Sequence, residues 1–211
     1  MNDLKIFDIS PEISAEIAIF PGDTPFSRNE FMSTKDGDHL TLSSIKTTLH
    51  LGAHTDAPVH YHPAGSDIAS INLNYYLGDC QVIEVNVPLN TRIRPKDLPM
   101  EVKAPRVLIK TNSYLDPNQW TDRFNSLSGE LIYFMASKGV KLIGIDTPSI
   151  DLASDKTLES HSAVFEKNMA ILEGVILKNV DVGIYKLIAT PLRIKNADAS
   201  PVRAILLKGI L

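Results

Sequence analysis

Several familiar kinds of protein are ruled out by what this chain does not contain. Its 211 residues include a single cysteine, Cys80, so neither a disulfide framework nor a paired-cysteine zinc site can form within it. Cys80 sits between Asp79 and the apolar run Val82–Val85, which predicts a small buried hydrophobe and not a nucleophile. There is no glycine-rich phosphate loop and no G-x-S-x-G serine elbow. Nor does any stretch approach the ~20 apolar residues that cross a bilayer. The opening MNDLKIFDISPEI lacks the basic and apolar blocks of a secretory signal. Together with the lone thiol this predicts a cytoplasmic, reducing setting with no membrane partner. No five like charges adjoin, and the formal net charge of −4 with a pI near 5.8 argues against a nucleic-acid partner.

The chain does contain a dense cluster of donors. His50, His54, Asp56 and His60 fall within the eleven residues HLGAHTDAPVH, the imidazole and carboxylate set that zinc-type ions select. Gly52 and Pro58 make a continuous helix through the segment improbable. The segment is therefore expected to be a strand end turning into a loop that wraps its donors around an ion. Asp56 offers two oxygens and can bridge two metals about 3.5–4 Å apart.

Elsewhere the pattern is that of one mixed α/β domain, rich in strands, spanning residues 1–211. Strands are predicted at Leu4–Ile9, His39–His50, Cys80–Val87, Arg106–Thr111, Leu142–Ile145, Ile184–Ala189 and Val202–Lys208. Pro21-Gly22-Asp23-Thr24-Pro25 is a turn, and Arg94–Leu98 is a short helical turn with proline near its start. Helices are predicted after Ser128, stopped by Gly139, and across Ser160–Asn168.

A second set of donors lies about a hundred residues on. His161 follows Ser160, and Glu173 follows the apolar run Met169–Leu172. Alone each reads as an ordinary polar residue; added to the first cluster they complete a two-ion inventory. Such a pair lowers the pKa of a shared water toward ~7 and polarises a carbonyl, which suits hydrolysis of an amide or ester. His60 is then free to carry a proton. His62 is expected in a loop or supporting position.

The run His50-Leu-Gly-Ala-His-Thr-Asp-Ala-Pro-Val-His60 resembles the H-x-G-T/A-H-x-D-x-P-x-H signature of the metal-dependent cyclase family. The resemblance extends to its bacterial kynurenine formamidase branch through ordered blocks along the chain. They are Phe20-Pro-Gly-Asp-Thr-Pro-Phe26, Tyr75-Tyr-Leu-Gly-Asp-Cys80, Gly144-Ile-Asp-Thr-Pro-Ser149, Lys156-Thr-Leu-Glu-Ser-His161, Ile171-Leu-Glu-Gly174 and Ala199-Ser-Pro-Val-Arg203. The resemblance implies a swivelling β/β/α fold, a homodimer and two divalent ions, Zn2+ foremost. It implies that His50, His54 and Asp56 hold one ion and Asp56, His161 and Glu173 the other, with His60 as proton donor and acceptor. Phe20 stands where the family presents Trp to an aromatic substrate. The implied reaction is hydrolysis of N-formyl-L-kynurenine to L-kynurenine and formate, a step of tryptophan breakdown. Two alternatives stay open at this point: an isatin-hydrolase-like enzyme of another small amide or lactam, and a non-catalytic metal-binding protein.

Overall fold

The apolar runs in the middle of the chain become adjacent strands at the centre of a seven-stranded sheet. In the computed structural model, which describes residues 4–209, its order is Lys5–Asp8, Ile205–Lys208, Gly183–Ile188, Leu77–Glu84, Arg106–Lys110, Leu142–Ile145 and Ala170–Leu172. The first four strands pair antiparallel, and the last four, sharing Leu77–Glu84, pair parallel. The parallel half is covered on both faces, as parallel sheets generally are. Alternation along Arg106–Lys110 sends Leu108 into one apolar cluster with Val82 and Leu172, and Val107 and Ile109 into another with Ile83 and Ile143. The second cluster also takes Leu131, Ile132 and Met135 of the helix Gly129–Ser137, and Ala163 and Val164 of the helix Glu159–Glu166.

These helices are the crossovers that parallel neighbours require. Ser128 caps the first, its hydroxyl accepting from the Leu131 N–H at 3.1 Å, and Gly139 follows the last turn at φ +81°. Cys80 is fully buried, and burial pushes its thiol pKa up, as expected of a hydrophobe and not of a nucleophile.

Several boundaries differ from expectation. The strand expected over His39–His50 is only Leu42–Lys46, paired with Ser27–Met32 in a hairpin whose residues are almost all exposed. The polar sequence SRNEFM gives no alternation to reveal its partner strand. His50 therefore lies beyond the strand, in the turn that follows. His54–Asp56, expected in a loop, is a three-residue strand paired with Ala199–Pro201. Gly52 and Pro58, which break any helix there, flank the strand on either side. Pro58 then opens a single helical turn, Pro58–Tyr61, where its missing N–H costs nothing.

In open sheets, ligands collect beyond the carboxyl ends of parallel strands. Here Asp146 follows Leu142–Ile145 and Glu173 follows Ala170–Leu172, so the sheet delivers both carboxylates to one rim.

Candidate metal centre and active site

Strand alternation sets the first contacts. His54 and Asp56 project from one face of their strand, while Thr55 between them points away and donates to the Ile171 carbonyl at 2.6 Å. The same strand is tied to the second donor segment by reciprocal backbone bonds. The His54 N–H reaches the Glu173 carbonyl at 3.1 Å, and the Glu173 N–H reaches the His54 carbonyl at 2.9 Å. This approach requires glycine on the Glu173 side. Gly174 sits at φ +66°, and a Cβ there would lie 2.1 Å from the Gly52 carbonyl oxygen.

The five expected ligand residues converge. The His50 Nδ1 lies 3.0 Å from Asp56 Oδ1, and the His54 Nε2 lies 3.6 Å from that oxygen and 3.2 Å from Glu173 Oε2. From the other side the His161 Nε2 lies 3.4 Å from Asp56 Oδ2 and 3.8 Å from Glu173 Oε1. Donor atoms of His50, His54 and Asp56 lie within 4.8 Å of one another, as do those of Asp56, His161 and Glu173. Asp56 is 2 % exposed, and neither of its carboxylate oxygens accepts a well-formed hydrogen bond. Stranding a buried carboxylate in this way is costly unless a cation completes it. The residues present therefore fit a metal, and Asp56 is common to both sets.

The imidazoles are aimed by partners on their far sides. His161 Nδ1 donates to Asp151 Oδ2 at 2.7 Å, which leaves Nε2 free to face the carboxylates. Asp151 is itself held by Arg92 at 2.7 Å and by the backbone N–H groups of Ser160 and His161. His54 Nδ1 meets the Gly52 carbonyl at 2.9 Å, and His50 Nε2 meets Asp198 Oδ2 at 3.0 Å. Burial would lower the pKa of every ring, but the neighbouring carboxylates outweigh it. With Asp56 and Asp198 beside it, His50 rises to about 9, and with Asp151 and Asp56 beside it, His161 rises to about 10. His54 moves up through Glu173. For Asp56, burial pushes upward, yet the His161 and His50 rings hold it well below the usual carboxylate range. The cluster is thus a cage of negative charge that holds protons until a cation replaces them.

His60 is different. Burial is the largest influence on its pKa and carries it below the ordinary value, leaving a neutral ring at neutral pH. Its ring centroid is 4.2 Å from that of His50, and its Nδ1 is 3.7 Å from Asp198 Oδ2. His62 points elsewhere, stacked on Phe165 at 3.7 Å with its Nδ1 accepting from the Ala64 N–H.

A cavity of about 340 Å³ opens onto these groups. Its lining includes His50, His54, Asp56, His60, His161 and Glu173. Phe20 lines it too, 54 % exposed, and so is not core. Sequence reasoning missed Asp151, Asp198 and Arg92, and also the aromatic residues Tyr114, Trp120 and Phe124 in the same cavity wall. The one available signal was position: Asp198 immediately precedes the block beginning at Ala199, and Asp151 lies two residues past the block ending at Ser149.

Both the sequence and the fold have known relatives. The family described as "Putative cyclase" matches residues 7–152. The chain belongs to the cyclase family. A relative from Bordetella petrii named kynurenine formamidase is 41% identical over 208 residues, covering 96% of this chain and 97% of its own. One from Bordetella pertussis with the same name is 42% identical over 204 residues, with the same coverage. Among solved structures, a predicted metal-dependent hydrolase from Bacillus stearothermophilus superposes with TM-score 0.81 at 25% identity, over 97% of this chain and 98% of that one. Isatin hydrolase A from Labrenzia aggregata superposes with TM-score 0.74 at 21% identity, over 97% of this chain and 93% of that one, and so shares the fold.

Proposed function

We propose that this cyclase-family chain is a metal-dependent arylformamidase, a single hydrolase domain across residues 1–211 that cleaves N-formyl-L-kynurenine to L-kynurenine and formate. The observation that carries the reading is the convergence of His161 and Glu173 with His50 and His54 around the buried carboxylate of Asp56, whose oxygens accept no well-formed hydrogen bond. The two Bordetella relatives named kynurenine formamidase, similar over 96% of the chain, supply the substrate.

In this reading His50, His54 and Asp56 hold one divalent ion and Asp56, His161 and Glu173 a second. Zn2+ is the natural occupant of such a nitrogen and oxygen set. When bound, the ions lower the pKa of a water toward neutrality and polarise the formyl carbonyl. The protein's own part is positioning and proton transfer. His60, neutral at rest, takes a proton from the attacking water as the oxygen adds to the formyl carbon. As the carbon–nitrogen bond breaks, His60 returns that proton to the departing aryl amine, leaving formate. Phe20 lies against the substrate's ring at the cavity mouth.

The assembly is proposed to be a homodimer in the cytoplasm. The exposed hairpin Ser27–Met32/Leu42–Lys46 carries Phe31, Leu42 and Ile45 to solvent, and two lone strands are marginal without a further partner surface. Among the described residues no helix is long and apolar enough to cross a membrane. The test is a formate-release assay on N-formyl-L-kynurenine beside isatin, with metal content measured on the same sample. Zinc-dependent formate release that chelator removes and zinc restores is the expected result. Full activity in metal-free protein, or turnover of isatin alone, would overturn the reading.

A further inference from the structure

One wall of the cavity is aromatic, lined by Phe20, Tyr114, Trp120 and Phe124. Trp120 is the chain's single tryptophan, and it lies half-buried in the cavity lining, outside all three apolar core clusters. Its ring centroid is 5.2 Å from that of Phe20, with the planes at 73°. Behind it stands Phe124, fully buried, at 6.4 Å and 80°. The indole is therefore backed by core on one side and open to the cavity on the other.

The loop that presents it is irregular in backbone yet tied down. The Ala18 N–H donates to the Pro117 carbonyl at 2.9 Å, joining the Phe20 segment to the Trp120 segment directly. The Asn125 N–H donates to Ser113 Oγ at 2.9 Å and closes the base of the loop. Two aromatic planes near a right angle make a corner. A flat ring laid on one plane meets the other edge-on, and both contacts are favourable for aromatic quadrupoles. The imidazoles of His50 and His60 line the same cavity.

We propose that Trp120 is a specificity-determining residue, forming with Phe20 a right-angled aromatic corner that receives the aryl ring of the substrate amide. The inference deepens the arylformamidase reading and rests on it for the identity of the substrate, but not for the preference for an aromatic ring. Trp120 contributes binding and placement and takes no part in proton transfer.

Because Trp120 is the only indole, its fluorescence lifetime in the intact, zinc-loaded protein reports this wall alone. Titration with benzamide is expected to shorten the lifetime saturably, whereas acetamide, which lacks the ring, leaves it unmoved. Trp120→Ala is expected to raise the KM for N-formyl-L-kynurenine about tenfold, equivalent to about 1.4 kcal/mol, with a smaller change in kcat. Trp120→Phe recovers most of that loss. A lifetime indifferent to benzamide, or a KM unchanged in a folded, metal-loaded Trp120→Ala protein, overturns the proposal. Failure of the wild type to release formate would instead sink the arylformamidase reading, and the benzamide lifetime would still decide the corner.

Discussion

Replacing Asp151 with Asn removes one charge and almost no volume, yet the geometry gives the new amide no good orientation. Asp151 Oδ1 accepts from Arg92 Nη1 at 2.7 Å, and Oδ2 accepts from His161 Nδ1 at 2.7 Å and from the His161 N–H at 3.1 Å. If the Asn carbonyl serves His161, the NH2 group is thrust at the Arg92 guanidinium, donor against donor. If it serves Arg92, the NH2 faces His161 Nδ1, which must then accept. The imidazole proton moves to Nε2, where the proposed ion would bind, and that tautomer cannot ligate. Residues supporting a ligating histidine are worth 10–100-fold in metal affinity or activity, or about 1.4–2.8 kcal/mol. The expected outcome for Asp151→Asn is therefore a 10–100-fold weaker affinity for zinc at the proposed site that includes His161. Competition against a chromophoric chelator measures this, with circular dichroism confirming the fold. A variant that is folded and binds zinc within twofold of wild type would refute the reasoning.

His60→Ala is expected to lower kcat by 10²–10⁴-fold, the usual worth of a positioned proton carrier, while retaining full metal; steady-state kinetics beside elemental analysis decides it. Gly174→Ala should destabilise by more than the ~1–2 kcal/mol of a left-handed backbone alone, because its Cβ would stand 2.1 Å from the Gly52 carbonyl oxygen. Urea unfolding gives the magnitude, and a loss under 1 kcal/mol counts against the required close approach. Metal-free protein should lose stability as pH rises. The His50 and His161 values of about 9 and about 10 exceed the unfolded value of ~6.5. Their contribution is thus full below pH ~6.5 and lost as pH climbs through 9 to 10. Melting temperatures across that window test this, and a flat profile would contradict it.

How much of this could be read beforehand depended on how local each feature is. The His50–His60 cluster declared itself because its donors crowd into one short segment. The strands Arg106–Lys110 and Leu142–Ile145 were legible because burial on both faces leaves an unbroken apolar run. His161 and Glu173 were ambiguous alone, since a helix-start histidine and a turn glutamate are common on surfaces. Asp151 and Asp198 carried no signal beyond their position beside the blocks at Ser149 and Ala199, because each acquires its role through a histidine outside its own segment. The strand His54–Asp56 escaped notice because only five residues separate Gly52 from Pro58, and only three of them form the strand. Its pairing comes from Ala199–Pro201 and from Glu173, beyond the reach of any window of local periodicity. Trp120 was hidden likewise, in a loop whose shape is set by contacts and not by a repeat.

The backbone zipper between His54 and Glu173, with Ala199–Pro201 on the other edge, has a consequence for biogenesis. A ribosome that has emitted the chain only as far as residue 170 has released a donor cluster that lacks Glu173 and a strand, His54–Asp56, that lacks both its partners. Capture of an ion between the two donor segments must wait until Glu173 and Ala199–Pro201 have emerged, so metal uptake during synthesis would serve as a late milestone of maturation.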